Sequence, residues 1–307
     1  LYERALARDP RQADASARLR SLFEQAGETH RLAELLERQG AALSDTGADP
    51  RDVALLYHQL GELWERRLAR ADKAVTHYRR AFELDPSLVA AIYAAREIYR
   101  AAGNVKAAAT LLEREAKAEV DGGRRVALWR ELAHVRNEHL DDAEGAARAL
   151  KRALGEAPGN LEIMSDLAGV YRSRAGRTDD PRVAESDRHR AADLLYQMAQ
   201  QVPPEHALEY LEQALDARPG HHGALERYER LADERGLARK LPERWVAFLA
   251  AAPDRPEAAP RRHRLAAAYV TAGQVDYAIT CLEPLLDDGD AQAAETLVGL
   301  YRERGRA

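Results

Sequence analysis

An all-α solenoid is the fold class this sequence predicts, and three observations carry the prediction. The 307 residues are 46% apolar and 32% charged, with only 3 Phe and 2 Met. The bulk is Ala, Leu, Glu and Arg, which are helix formers, with few of the residues that favour strands. A spacing also recurs: a small residue, a large apolar or aromatic residue four later, an Ala three beyond, and a Pro five further on. It reads Ala74, Tyr78, Ala81, Pro86; Ala146, Leu150, Ala153, Pro158; and Ala207, Leu211, Ala214, Pro219, with the tail of a further copy in Tyr2, Ala5 and Pro10. Finally, each copy closes an apolar-periodic helix, where the Ala residues admit a close neighbour and the Pro stops the chain. Repetition of a supersecondary unit at this period is the mark of a solenoid.

Taken in order, the chain opens with a lone helix at about 1–8. A degenerate pair follows at 13–26 and 28–43, turning at Gly27. Pairs at 51–84, 88–118 and 123–155 come next. The first and third carry one extra residue, in Arg67-Leu68-Ala69-Arg70 and His139-Leu140-Asp141-Asp142, which predicts duplication of a two-repeat unit of about 72 residues. A helix at 161–174 precedes the polar stretch Ala175-Gly176-Arg177-Thr178-Asp179-Asp180-Pro181. The helix beyond, 183–202, holds Ala191, Leu194, Leu195 and Met198 in register with the copy at Ala207. The helix at 161 therefore lacks its usual partner: either a second helix was lost, or the long helix serves both neighbours. Residues 175–187 are expected to be irregular, a hinge between repeats at 1–174 and repeats at 188–307. Pairs at 222–251 and 258–286 and a final first helix at 291–304 complete the chain. Starting in a second helix and ending on an unpartnered first helix, it reads as a fragment of a longer protein.

Each first helix has its own signature: an apolar residue, another three later, a small residue next, and an aromatic or long residue three beyond. The copies are Tyr57, Leu60, Gly61, Trp64; Ile92, Ala95, Arg96, Tyr99; Trp129, Leu132, Ala133, Arg136; and Met164, Leu167, Ala168, Tyr171. Together the two halves resemble the bacterial-type tetratricopeptide repeat, antiparallel helix pairs of about 34 residues, along nearly the whole chain. The resemblance implies a right-handed α-solenoid of about eight repeats whose first helices line a concave groove for a peptide. Its wall would include Tyr93, Glu97 and Arg100; Arg130, His134 and Asn137; Arg172; and Ala192, Tyr196 and Ala199. The partner-binding candidates are Tyr93, Glu97, Arg100, Arg130, His134, Asn137 and Arg172. Arg100, Arg130 and Arg172 give the middle a basic character, so a protein or peptide partner with acidic residues is expected. The family's Lys-and-Asn clamp for a terminal carboxylate has no Lys here to form it.

No catalytic or cofactor motif is present: no Gly-rich phosphate loop, no His-Glu-x-x-His, no Gly-x-Ser-x-Gly. His134 and His139 are five apart and do not share a helix face, so with Asp141 and Asp142 they predict no metal site. His221 and His222 read as turn residues at a helix start, and Trp64, Trp129 and Trp245 as core. Cys281, the single cysteine, falls in an apolar stripe and is expected to pack. A formal charge of −5 with both signs interspersed argues against nucleic acid and anionic membranes, which demand concentrated Lys and Arg. No apolar run of spanning length and no signal peptide are seen, so a cytoplasmic location is expected. The reading is a non-enzymatic protein-interaction scaffold without cofactor. Its rivals are the targeting arm of a larger enzyme and, more distantly, an RNA-binding helical repeat.

Overall fold

The computed structural model describes residues 1–9 and 12–305. Pro10, the last member of the repeat's first partial copy, lies outside them. Among the described residues the regular structure is helical, without strands. The chain divides into two compact units, Leu1–Pro158 and Gly159–Ala307.

The first unit holds α1 (Tyr2–Arg8), α2 (Ala13–Ala26), α3 (Thr29–Asp45), α4 (Pro50–Arg66), α5 (Ala71–Leu84), α6 (Val89–Ala101), α7 (Val105–Ala118), α8 (Gly122–His139) and α9 (Ala143–Glu156). Each packs on its sequence neighbours, and α4 with α5, α6 with α7 and α8 with α9 form the tightest pairs. Local chemistry sets the helix ends. Asp49 accepts from the Arg51 amide and places Pro50 in the first turn of α4, Asn104 caps α7, Asp121 caps α8 and Asp142 caps α9. In α5, Ala74, Val75, Tyr78, Ala81 and Phe82 are buried, the stripe that helical periodicity demands of a face against a neighbour. Gly61 of α4 lets the Tyr78 ring lie flat on its backbone, since a Cβ there would stand 2.6 Å from Tyr78 Cδ1.

The shared extra residue has a matching backbone. Ala69 and Asp141, 72 positions apart, both take left-handed conformations, at φ 51° and 50°. The following amides close the same turn, Arg70 N–H to the Trp64 carbonyl at 2.9 Å and Asp142 N–H to the Arg136 carbonyl at 2.8 Å.

The second unit holds α10 (Leu161–Arg177), α11 (Pro181–Gln201), α12 (Pro204–Ala217), α13 (His222–Glu234), α14 (Leu241–Ala251), α15 (Ala258–Thr271), α16 (Val275–Leu282), α17 (Pro284–Asp287) and α18 (Ala291–Arg304). Residues 175–187, expected to be irregular, are the last turn of α10, a short turn at 178–180 and the first turns of α11. Asp180 caps α11 with Pro181 at its start. Arg174 holds the fully buried Asp187 bidentately, its Nη2 donating to Oδ1 at 2.7 Å. Of the two arrangements left open for α11, the structure adopts the shared one: α11 packs as heavily on α10 as on α12. That corrects one part of the expected groove wall. Ala192 and Ala199 are fully buried, because a helix gripped from two sides has no free face there.

Further along, Phe248 and Leu225 are fully buried. Ala266, Ala278, Ile279, Leu282, Leu285, Ala293, Leu297 and Leu300 form one cluster across α15 to α18, with half-buried Cys281 against it. Burial pushes the Cys281 thiol up, so the packing role is chemically consistent.

Candidate functional site

The partner-binding candidates are built on α6 and α8. Ile92 and Ala95 point inward and are fully buried, which turns Tyr93, one position on, outward at 50% exposure. Arg96 sits where α4, α8 and α10 carry Gly61, Ala133 and Ala168, and it is 6% exposed. Its guanidinium lies 2.9 Å from Glu115 of α7, 2.7 Å from Glu131 of α8 and 3.5 Å from Glu97, and 5.2 Å from the centre of the Tyr93 ring. Glu115 itself occupies the second-helix position that is Ala81 or Ala153 elsewhere. In this repeat both small-residue positions carry charges, and the two form a buried ion pair. Such a pair costs desolvation on both sides, so its value lies in fixing geometry. Here it ties three helices together beneath Tyr93.

Burial pushes the Glu115 carboxyl up, Arg96 pulls it back, and Glu131 and Glu97 raise it again. The Arg96 Nε and Glu115 Oε2 have no aligned hydrogen bond, so their attraction is through charge alone. Glu131 and Arg100 are exposed and Glu97 is half-buried. Arg100 reaches Glu97 at 2.5 Å.

The remaining candidates are dispersed. Arg130 is half-buried on α8 and His134 is exposed, its ring edge-on to His139 at 5.9 Å. Asn137 donates to Glu138 at 2.7 Å. Arg172 belongs to the second unit, on α10, and donates to Gln213 of α12 at 3.1 Å. Around Arg96 two guanidiniums, its own and that of Arg100, stand beside three carboxylates, Glu97, Glu115 and Glu131. Among the described residues no group of three metal-ligating side chains occurs, and no helix is long and apolar enough to cross a membrane.

The structure also adds residues that the repeat pattern had assigned no role. Arg96 carried a legible signal, a charge in a small-residue slot, but Glu115 and Glu131 lie on other helices and become its partners only on folding. The second unit repeats the device. Glu229 of α13, again in that slot, accepts from Trp245 Nε1 at 2.7 Å and from Arg261 Nε at 2.8 Å. Arg261 stacks on Phe248 at 4.6 Å. Trp64, Trp129 and Trp245 are all buried, as expected. His221 is the cap of α13, its Nδ1 accepting from the Ala224 amide at 3.0 Å, and burial lowers its pKa.

At α4 and α5 the small Gly61 of the first helix receives the Tyr78 ring of the second. Within each unit the helices pack in succession on their sequence neighbours, as a helical-repeat array. No family model matches this chain, and no curated protein sequence matches it. Solved tetratricopeptide-repeat structures are similar to it at low identity. YrrB, a TPR protein with an unusual peptide-binding site, shares 23% identity over 56% of this chain and 90% of its own, with a TM-score of 0.28. The C-terminal part of a TPR repeat-containing protein from Cytophaga hutchinsonii shares 12%, over 85% and 91%, at 0.33. The TPR2AB domain of yeast Sti1, solved in a pHSP90 complex, shares 12%, over 82% and 98%, at 0.30.

Proposed function

We propose that this tetratricopeptide-type array is a non-enzymatic protein-interaction scaffold whose α6–α8 face binds a peptide segment of a partner. The observation that carries the reading is Tyr93. It is a large aromatic left half-exposed on a first helix and held on a guanidinium that three carboxylates fix from three helices. A rigid aromatic anchor loses little side-chain entropy on binding and is the residue type enriched among hot spots. Arg100, Glu97 and Glu131 give polar surroundings of both signs, and Arg130, His134 and Asn137 on α8 are the further candidates. The partner is therefore one with an apolar or aromatic side chain for Tyr93 and charges of both signs beside it. An exclusively acidic partner fits less well, since Arg100 already has Glu97.

Affinity capture with the chain, followed by titration calorimetry on Tyr93→Ala, tests this. Loss of a hot spot costs about 2 kcal/mol, roughly thirtyfold in affinity. Tyr93→Phe should retain binding, and both variants should melt with wild type because the side chain is half in solvent. A Tyr93→Ala chain that captures the same partner with unchanged affinity places the site elsewhere.

A further inference from the structure

The second unit has a feature that the repeat does not generate. α11 has 21 residues, whereas α12, which returns along it after a two-residue turn, has 14. At 1.5 Å per residue the N-terminal part of α11 overhangs its partner by about 10 Å. The overhang stands over the ends of α12 and α14. The three border an open cleft of about 730 Å³. Its floor is small and apolar: Pro219 and Gly220 after α12, and Ala251, Ala252 and Pro253 at the end of α14. Gly220 makes that floor continuous, because a Cβ there would touch the Ala252 and Ala251 methyls at 3.5 and 3.6 Å.

The walls are charged. Pro181, Glu185 and Arg188 are spaced four and three apart and share one face of α11, while Arg255 rises from the turn after α14. Arginines nearby are engaged: Arg190 with Asp187, Arg244 with Asp216, Arg261 with Glu229. Arg188 and Arg255 are exposed and have no ion pair among the described residues. Arg218, also at the cleft, is shared with Asp193 at 3.7 Å. Of the carboxylates on the walls, Glu185 lies 3.8 Å from His189, which leaves Asp254 against two free guanidiniums.

We propose that this cleft is a second docking surface, for an extended acidic peptide. Its backbone would lie on the Pro-Gly and Ala-Ala floor, and two of its carboxylates would meet Arg188 on one wall and Arg255 on the other. Exposed guanidiniums without a partner carboxylate are suited to bidentate pairing with one. The surface is independent of the α6–α8 face, which lies in the other unit and is centred on Tyr93.

Fluorescence anisotropy on the full chain tests the proposal, with a labelled dodecapeptide alternating Glu and Ala as probe. A matched peptide with Lys for Glu and a single-stranded RNA of the same length serve as competitors. The Glu peptide should bind, weaken with salt, and lose at least about tenfold in affinity in the Arg188→Glu/Arg255→Glu double variant. Arg100→Glu, on the α6–α8 face, should leave the affinity unchanged. Both substituted arginines are exposed, so the double variant should melt with wild type. Absence of Glu-peptide binding, equal binding of the Lys peptide, stronger binding of the RNA, or indifference to the double reversal in a folded chain each overturns it. Loss of the same affinity in Arg100→Glu would move the acidic site to the other unit.

Discussion

At Glu115 a single residue reverses the rule of its repeat, and the reversal has a pH signature. Burial holds its carboxyl above the ordinary value of 4.5 despite Arg96 at 2.9 Å. Between 4.5 and that raised value the native state binds more protons than the unfolded chain. The contribution of this group to stability is therefore fully present below 4.5 and is lost as pH rises through the folded value. Glu115→Gln keeps the shape and removes the titration, while Arg96 retains Glu131 and Glu97. In parallel melts, the Tm of Glu115→Gln relative to wild type should rise as pH is taken from about 4 to about 7. The opposite trend would mean that the ion pair outweighs desolvation at this site. The sequence shows why Arg96 stands out but not what answers it. A charge in a small-residue slot is visible along the chain, whereas the carboxylates that meet it sit 19 and 35 residues away, on other helices.

At the scale of the element, close helix contact accounts for what was legible. The pairs expected at 51–84, 88–118 and 123–155 are found as α4–α5, α6–α7 and α8–α9 with ends shifted by at most one residue, because caps and prolines are local signals. Ala81 and Ala214 are fully buried. Changing either to Leu should cost about 1–3 kcal/mol by overpacking, and Gly61→Ala should destabilise as well, since the Tyr78 ring must move. Ala127→Leu, at an exposed position of α8, is the control and should be near neutral. Equal melting temperatures across the set would show that these small residues do not face a neighbouring helix. α11 was the less legible element. Ala192 and Ala199 are fully buried on it, and small residues are only weakly apolar by periodicity. The sequence therefore left open whether a helix was lost or α11 serves both neighbours, and the structure adopts the second.

Across the whole molecule, the point of division separates what local composition suggests from what packing does. The turn-rich run at 175–181 marks a boundary by composition, yet the compact units meet at Pro158 and Gly159. Asp187 is the reason the polar run does not divide the chain: it is fully buried on α11 and neutralised by Arg174 of α10. Met164, Leu167 and Tyr171 are buried on α10 as well. A cut before 175 therefore removes apolar cover from α11 and takes the bidentate Arg174 from the buried Asp187, leaving it only Arg190 at 3.4 Å. Stranding one partner of a buried pair in this way costs about 3–5 kcal/mol, a large fraction of the stability of a domain of this size. Fragments 1–158 and 159–307 should each unfold cooperatively in urea. Fragment 175–307 should be several kcal/mol less stable than 159–307, with exposed apolar surface seen by dye binding. The single substitution Arg174→Ala in the full chain reads the same contact without a cut, and should move the second unit's transition in the same direction. Should 175–307 prove as stable as 159–307, and Arg174→Ala prove silent, then the pairing of α10 with α11 is not what holds this region together, and the boundary belongs where the polar run first suggested.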